Sequence, residues 1–261
     1  MIGILSALGV LAGLGVVFGG LLAVAGKVFA VEEDPRLAPL TEALPGANCG
    51  GCGFSGCAAY AQAVINGETT IGGCPVGGDA VAKEMARIMG VTVDTAGVRQ
   101  VALVRCTGHG HPNQRYEYDG LQDCLSASRL PGGGYLACKD GCLGLGSCVK
   151  ACPFDAIHIV DHVAVVDPEV CKGCLKCVAT CPRGVITVVP ADAHVTILCS
   201  NTDKGPTVRQ VCDIGCLGCG ICAKVCPEGA IRVENFLATI DYSKCTGCEL
   251  CEEKCPRHLI Q

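Results

Sequence analysis

The segment Cys171-Lys-Gly-Cys174-Leu-Lys-Cys177-Val-Ala-Thr-Cys181-Pro182 carries four cysteines in the spacing Cys-x2-Cys-x2-Cys-x3-Cys-Pro, which suits few kinds of cysteine site. Residues three apart on a tight turn point their side chains at a common centre, whereas the two sulfurs of a disulfide must face each other. Zinc ribbons use two separated Cys-x2-Cys pairs, so a run of three or four close thiols fits zinc poorly. The spacing is typical of 4Fe-4S cluster ligands, and it predicts an iron–sulfur protein.

The composition agrees with small units held together by cysteine chemistry. The chain has 261 residues, of which 24 are Cys, none is Trp and only 4% are aromatic. An aromatic-filled core is therefore excluded. The net charge of -5 and the 17% of charged residues give no basic face for a phosphate backbone, so we expect no nucleic-acid partner. Clusters of this kind indicate a reducing compartment.

The N-terminal segment is strongly apolar. Between Ile2 and Gly26 no side chain is charged, and Ser6 is the one polar side chain. A helix of this length measures about 38 Å, which is enough to cross a bilayer with some tilt. No basic residue precedes the segment, which disfavours a cleaved signal peptide. We predict a transmembrane helix over residues 1–28 in the cell membrane, with the Cys-rich part on the cytoplasmic side because Lys27 and Arg36 follow it.

A first cysteine group follows a predicted linker at residues 29–45. Its members are Cys49, Cys52, Cys57 and Cys74, which are four thiols and thus one closed site. Glycines surround them, as expected where a backbone folds tightly around a bulky cluster. Apolar spacing predicts one helix from Cys57 to Asn66 and another that begins with Asp79 as its N-cap and ends at Met89. Residues 46–95 are therefore predicted to form a small α-rich domain with a single 4Fe-4S cluster.

The remaining sequence repeats itself. The Cys-Pro pairs at Cys152 and Cys226 lie 74 residues apart, and the run from Cys171 to Cys181 recurs with the same offset from Cys245 to Cys255. Each copy also has a stretch of alternating apolar residues, at 156–167 and at 230–241, which predicts a hairpin beside short helices. We therefore predict two modules, at residues 96–190 with a cysteine-containing lead-in and at residues 191–261.

The repeated runs resemble those of bacterial two-cluster ferredoxins, in which the fourth Cys of each run serves the other cluster. The resemblance implies three complete ligand sets: Cys216, Cys219, Cys222 and Cys255; Cys245, Cys248, Cys251 and Cys226; Cys171, Cys174, Cys177 and Cys152. The first run departs from the pattern because Leu145 stands where a middle ligand is expected. Cys138 is the expected substitute, which gives the set Cys138, Cys142, Cys148 and Cys181.

Four cysteines remain after five clusters have taken 20 thiols, and four is the number that a sixth cluster needs. They are Cys106, Cys124, Cys199 and Cys212. The 74-residue offset places Cys124 within one residue of Cys199, so we expect these cysteines to meet where the two modules join. The alternative is that they are buried free thiols, since unpaired Cys is common in protein cores.

No catalytic residues are predicted on this chain. It has neither a Gly-x-Gly-x-x-Gly turn after a strand nor a phosphate-binding Walker loop. Substrate conversion is therefore expected to take place on another subunit. The fold class is predicted as α+β, with one N-terminal transmembrane helix, a small α-rich 4Fe-4S domain and two tandem two-cluster ferredoxin-like modules.

The order of these parts resembles one family in particular. The apolar helix precedes Gly46-Ala-Asn-Cys-Gly-Gly-Cys-Gly-Phe-Ser-Gly-Cys57, Gly73-Cys-Pro75, Cys142-Leu-Gly-Leu-Gly-Ser-Cys-Val-Lys-Ala-Cys-Pro153 and the tandem modules. This order is similar to that of the B subunits of Rnf electron-transport complexes, and the similarity extends over nearly the whole chain. It implies an electron-transfer subunit that receives electrons from soluble ferredoxin, in a complex that couples their flow to NAD or another acceptor to Na+ or H+ translocation. The implied partners are the other subunits of that membrane complex and the lipid bilayer.

Two alternatives stay open at this point. One is a polyferredoxin relay subunit of a different membrane oxidoreductase, such as a hydrogenase. The other is a zinc-organised interaction scaffold, although the proline-terminated runs disfavour it.

Overall fold

The first helix of the chain is long and carries exposed apolar side chains. The computed structural model describes residues 2–28, 34–93, 97–108 and 113–261, without the side chains of residues 2, 4–8, 10 and 28. Helix α1 covers Ile2–Val28, and Leu11, Val16, Phe18 and Leu22 are exposed on it. Within the described ranges, no helix combines the length and the hydropathy needed to cross a membrane. The transmembrane span stays a prediction.

The first cluster domain is a bundle of three helices. These are α2 at Leu37–Ala43, α3 at Cys57–Ile65 and α4 at Gly78–Met89. The two helices predicted from apolar spacing are thus confirmed, except that Asp79 lies inside the first turn of α4 and does not cap it. Tyr60 and Met85 are buried between the helices, together with Leu40 of α2 and Leu44 directly after it.

The predicted linker at 29–45 needs correction in its second half. Residues 29–33 lie outside the described residues, but α2 occupies most of the rest. Leu40 on this helix is 0% exposed, so the segment belongs to the core of the cluster domain. Pro39 misled the sequence interpretation, because proline disrupts a helix interior but is tolerated in the first helical turn, where the amide has no helical acceptor.

The first repeated module contains two small antiparallel sheets and short helices. Its elements in chain order are β1 at Gln100–Val104, α5 at Cys124–Ser128, a 3-10 turn at Pro131–Gly133, α6 at Ser147–Ala151, β2 at Ile157–Val160, β3 at Val163–Val166, α7 at Lys176–Thr180 and β4 at Ile186–Pro190. Strand β1 pairs with β4, from Gln100 opposite Pro190 to Val104 opposite Ile186. Strands β2 and β3 form the predicted hairpin.

The second module repeats much of this arrangement. It contains α8 at Gly205–Val211, α9 at Ile221–Val225, β5 at Ile231–Glu234, β6 at Leu237–Ile240 and α10 at Leu250–Glu253. Strands β5 and β6 form the second predicted hairpin. In place of the β1–β4 pair, Ile197 forms a single antiparallel bridge with Ile260, and the amide of Leu198 donates to the carbonyl of Leu259 at 2.8 Å.

The two hairpin turns have the same backbone conformation. Asp161 and His162 in one turn, and Asn235 and Phe236 in the other, have positive φ at equivalent positions. Two consecutive positive φ values match the twist of the flanking strands in a two-residue hairpin turn. A cysteine loop packs against each turn at a glycine. A Cβ on Gly218 would lie 2.8 Å from the carbonyl oxygen of Phe236, so this close approach requires glycine.

Candidate metal centres

The first cysteine group converges at the N-terminal end of α3. Cys57 begins that helix, and its amide donates to the side-chain oxygen of Asn48 at 2.8 Å. Cys74 is buried, and burial raises its pKa, with the nearby thiols of Cys49 and Cys52 adding to the shift. The amide of Gly77 points at the Cys74 sulfur over 3.4 Å. The structure therefore brings Cys74 to the loop of the Cys-x2-Cys pair, as the sequence analysis predicts.

Tyr60 fixes the loop that carries Cys74. Its hydroxyl donates to the carbonyl of Thr70 and accepts from the amide of Gly73, each at 2.9 Å. The ring is buried, and its tilted contact with Phe54 has centroids 5.7 Å apart. A buried hydroxyl with both a donor and an acceptor holds a loop firmly, because either hydrogen bond would be costly to lose. Tyr60 is a supporting residue that the cysteine pattern did not reveal.

In the first module, the cysteines of the complete run, Cys171, Cys174 and Cys177, lie close to Cys152 of the other run. Burial raises the pKa of Cys177 to about 11, and the thiols of Cys171, Cys174 and Cys152 contribute to the shift. The amide of Ala102 donates to the Cys171 sulfur and the amide of Ala156 to the Cys152 sulfur, each over 3.4 Å. The four cysteines that the ferredoxin resemblance implies are thus neighbours.

In the second module, too, the fourth cysteine of each run lies with the cysteines of the other run. Cys216, Cys219, Cys222 and Cys255 line one pocket of about 430 Å³. Burial raises the pKa of Cys222 to about 11, with the other three thiols adding to it. Cys251 has Cys226 and Cys245 as neighbouring thiols, and burial raises its pKa as well. Cys248, the remaining member of that expected set, is exposed.

The incomplete run of the first module recruits a different cysteine from the one predicted. Cys124, Cys142, Cys148 and Cys181 line a pocket of about 310 Å³. Burial raises the pKa of Cys148 to about 12, and the thiols that add to this shift are those of Cys142, Cys124 and Cys181. Cys138 does not line this pocket. The predicted placement of Cys138 in this set is therefore corrected to Cys124.

Cys124 reaches the run because a separate short helix presents it. Asp123 caps α5 by accepting from the amide of Ser126 at 2.7 Å. Ser147 joins this cap to the cysteine run, since its hydroxyl donates to Asp123 at 2.9 Å and accepts from the amide of Cys124 at 2.7 Å. An Asp before Cys-Leu-Ser-Ala is a helix-start signal in the sequence, but it does not reveal which run the helix meets.

Cys138 instead lies with three of the four cysteines left over. A pocket of about 550 Å³ between the modules is lined by Cys106, Cys138, Cys199 and Cys212, with Cys142 at its side. Cys106 and Cys199 form an antiparallel bridge. The sixth set expected from the sequence contained Cys124 in place of Cys138, so both predicted sets are corrected by the same exchange. We call this place the junction pocket.

The geometry of these thiols fits clusters of several irons. Amide hydrogens point at cysteine sulfurs in several of the sets, as is usual around cluster ligands. In the described residues, the buried Nε and Nη2 atoms of Arg183 have no hydrogen-bond partner, and this residue lines the Cys124 pocket. Cluster sulfur would supply the missing acceptor. No group of three or more His, Cys, Asp or Glu side chains in the described ranges is compact enough for a single metal ion.

Comparison with protein families gives iron–sulfur matches over the first cluster domain and over the two repeated modules. Residues 44–76 match a family of Fe-S cluster domains. Residues 136–182 match a 4Fe-4S dicluster domain, and a second 4Fe-4S dicluster family matches residues 170–230 and 215–259. The chain is therefore an iron–sulfur protein that carries several 4Fe-4S clusters.

Curated relatives resemble the chain over most of its length. The B subunit of the Na(+)-translocating ferredoxin:NAD(+) oxidoreductase complex of Acetobacterium woodii is 49% identical over 93% of this chain and 73% of the relative. The B subunit of an ion-translocating oxidoreductase complex of Methanosarcina acetivorans is 43% identical over 93% of this chain and 92% of the relative. The B subunit of the proton-translocating ferredoxin:NAD(+) oxidoreductase complex of Clostridium ljungdahlii is 42% identical, with coverages of 89% and 82%.

Proposed function

Because the chain belongs to the B-subunit family of ion-translocating (Rnf) oxidoreductase complexes, we propose that it receives electrons from reduced ferredoxin and passes them to the other subunits. The complex would couple electron flow between ferredoxin and NAD, or another acceptor, to the movement of Na+ or H+. The observation that supports this role is the set of neighbouring thiol groups, which follow one another from the first domain through both modules. Bound 4Fe-4S clusters supply one-electron transfer without rearrangement of bonds.

Five ligand sets are proposed from the cysteine runs together with the neighbouring thiols described above. We assign them as Cys49, Cys52, Cys57 and Cys74; Cys152, Cys171, Cys174 and Cys177; Cys124, Cys142, Cys148 and Cys181; Cys216, Cys219, Cys222 and Cys255; Cys226, Cys245, Cys248 and Cys251. Burial keeps several of these thiols protonated when no metal is bound, as the raised pKa values of Cys148 and Cys177 indicate. Cluster insertion must therefore displace protons.

The first domain also has a direct contact with the ferredoxin modules. The thiol of Cys49 is among the neighbours that raise the pKa of Cys174, after burial. Gly51 lies so close to the same loop that a Cβ there would be 3.0 Å from the carbonyl oxygen of Cys174. The Cys49 set and the Cys171 set are thus adjacent, which suits transfer between them.

The donor assignment is tested by mixing the protein, purified without oxygen, with reduced ferredoxin and following the visible absorbance of the clusters. We expect rapid bleaching, and about 20 or more irons per chain with matching acid-labile sulfide. Dithionite serves as the control reductant, because it reduces clusters without a docking surface. Bleaching by dithionite but not by ferredoxin would contradict ferredoxin as the donor. Zinc in place of iron would instead support the scaffold alternative.

We also propose that α1 anchors the chain in the cell membrane, with the Cys-rich part on the cytoplasmic side. The support is the uncharged run from Ile2 to Gly26 and the exposure of large apolar side chains such as Phe18 and Leu22. Lys27 follows the run and favours a cytoplasmic C-terminal side.

Deletion of residues 2–28 is expected to move the protein from the membrane fraction to the supernatant when the chain is expressed without its partner subunits. Iron content per chain should stay unchanged, which would show that the Cys-rich part still folds. A matched control replaces Val16 and Phe18 with leucine, which keeps the helix apolar and should leave the protein in the membrane. Retention of the deleted form by lipid vesicles would argue against the anchor.

A further inference from the structure

We propose that the junction pocket holds a sixth 4Fe-4S cluster on Cys106, Cys138, Cys199 and Cys212, two thiols from each module. The proposal rests on the proposed function for the type of cluster and on the structure for the choice of residues. All four cysteines line this pocket, and Cys106 and Cys199 are paired in an antiparallel bridge, so the four thiols surround one space.

Hydrogen-bond donors face these sulfurs from both modules. Asn201 is 2% exposed, and its side-chain amide donates to the Cys138 sulfur at 3.2 Å. The amide of Cys216 donates to the Cys199 sulfur at 3.3 Å, and the amide of Cys142 makes the equivalent bond to Cys106. Amide donors of this kind stabilise thiolates, whereas an apolar core of free thiols would not need them.

The junction pocket is built symmetrically from equivalent residues. Cys138 and Cys212 are 74 residues apart, as are Cys142 and Cys216. The loops that carry Cys138 and Cys212 are each held by the arginine after a Cys-Pro pair, since Arg183 donates to the carbonyl of Lys139 and Arg257 to that of Asp213. Two copies of one loop thus present their cysteines to each other across the interface between the modules.

The position of this set makes it the link between the modules. Cys106 has Cys142 of the first module as a neighbour, and Cys199 has Cys216 of the second. Cysteines of both sets in each module pack against one hydrophobic core. Together with the contact between the first domain and Cys174, this arrangement places the six sets in one row through the protein. The junction set lies between the Cys142 and Cys216 sets, because Cys142 lines the same pocket and the amide of Cys216 donates to the Cys199 sulfur.

Iron counting in matched variants tests the assignment. The starting variant carries Cys148→Ala and Cys181→Ala, which removes the cluster assigned to Cys124, Cys142, Cys148 and Cys181. Adding Cys124→Ala should cause no further loss of iron, because Cys124 belongs to the set already removed. Adding Cys138→Ala should remove about one to four more irons, depending on whether a three-iron cluster persists. Both cysteines are buried, so the two substitutions disturb the core similarly.

The reciprocal starting variant carries Cys199→Ala and Cys212→Ala. It separates loss of a ligand from misfolding, because the same added substitutions should now have the opposite effects on iron content. There, adding Cys138→Ala should cost no iron, and adding Cys124→Ala should cost some. Reversed results in the two series would overturn the assignment in favour of Cys124, and no loss from any junction substitution would show that the pocket holds no cluster. These counts involve no ferredoxin, so they stand whether or not ferredoxin proves to be the donor.

Discussion

Replacing Arg105 with methionine is expected to loosen the interface between the two modules and to empty the junction pocket of iron. Arg105 follows β1 of the first module, and its guanidinium donates to three carbonyls of the second. The distances are 2.9 Å to Cys199, 2.8 Å to Ala238 and 3.4 Å to Ile197. Burial lowers the pKa of Arg105, but an arginine remains charged in proteins. Its removal leaves three carbonyls without their donor, at a cost of about 3–5 kcal/mol.

The measurement is iron per chain in protein purified without oxygen, together with the urea concentration at which the visible absorbance is lost. We expect a loss of up to about four irons and a lower urea midpoint. Arg232→Met on β5 is the matched control, because Arg232 is exposed and should affect neither quantity. Arg105→Lys should give an intermediate result, since a single ammonium cannot reproduce the fork of a guanidinium. A wild-type iron content and midpoint in Arg105→Met would show that the modules do not depend on this contact.

Replacing Gly51 with valine is expected to separate the first cluster domain from the ferredoxin modules while all clusters remain bound. A Cβ at this position would lie 2.9 Å from the Pro75 side chain and 3.1 Å from the Cα of Cys174. Because the Cys174 backbone cannot rotate away, the contact has to open. Overpacking of this kind costs about 1–3 kcal/mol, which lowers the population of the docked arrangement by a factor of about 5 to 150.

The effect should appear in electron paramagnetic resonance as a loss of magnetic coupling between the reduced Cys49 and Cys171 clusters, at unchanged iron content. Two controls separate contact from local strain. Gly97→Val introduces the same side chain where nothing lies within 4 Å, and Gly53→Ala strains a backbone with φ of +86° without touching a neighbour. If Gly51→Val kept the coupling of the wild type, or if Gly53→Ala lost it equally, the close approach at Gly51 would not be what joins the two sites.

Local spacing determined those parts of this protein whose residues are close in sequence. Three cysteines of a run are held by one turn, and the short helices α6, α7 and α9 each end at a Cys followed by Pro, where the helix cannot continue. The hairpins β2–β3 and β5–β6 follow from alternating apolar residues. The ferredoxin rule then predicted the fourth ligand of three sets, because their runs keep the spacing on which that rule depends.

Spacing was misleading where the two modules differ in length. Cys106 and Cys199 are structural equivalents but lie 93 residues apart, against 74 for the runs. The first module has a longer lead-in, and this extra segment carries α5 and Cys124. A constant offset therefore matched Cys124 to Cys199, and Cys138 was predicted in the first run as the substitute for the ligand missing at Leu145. The existence of six sets of four thiols stays a prediction, and Cys124 and Cys138 change places between two of these sets.

The sequence alone determined the chemistry of this protein, because cysteine spacing in a run is a property of a single turn and needs no knowledge of the rest of the chain. Tertiary structure decided which distant thiols share a site, how α2 joins the first domain and where Gly51 meets Cys174. These features depend on packing between segments that are far apart in sequence, and packing responds to shape and to the burial of side chains such as Leu40 and Asn201. No local pattern records which surfaces will meet.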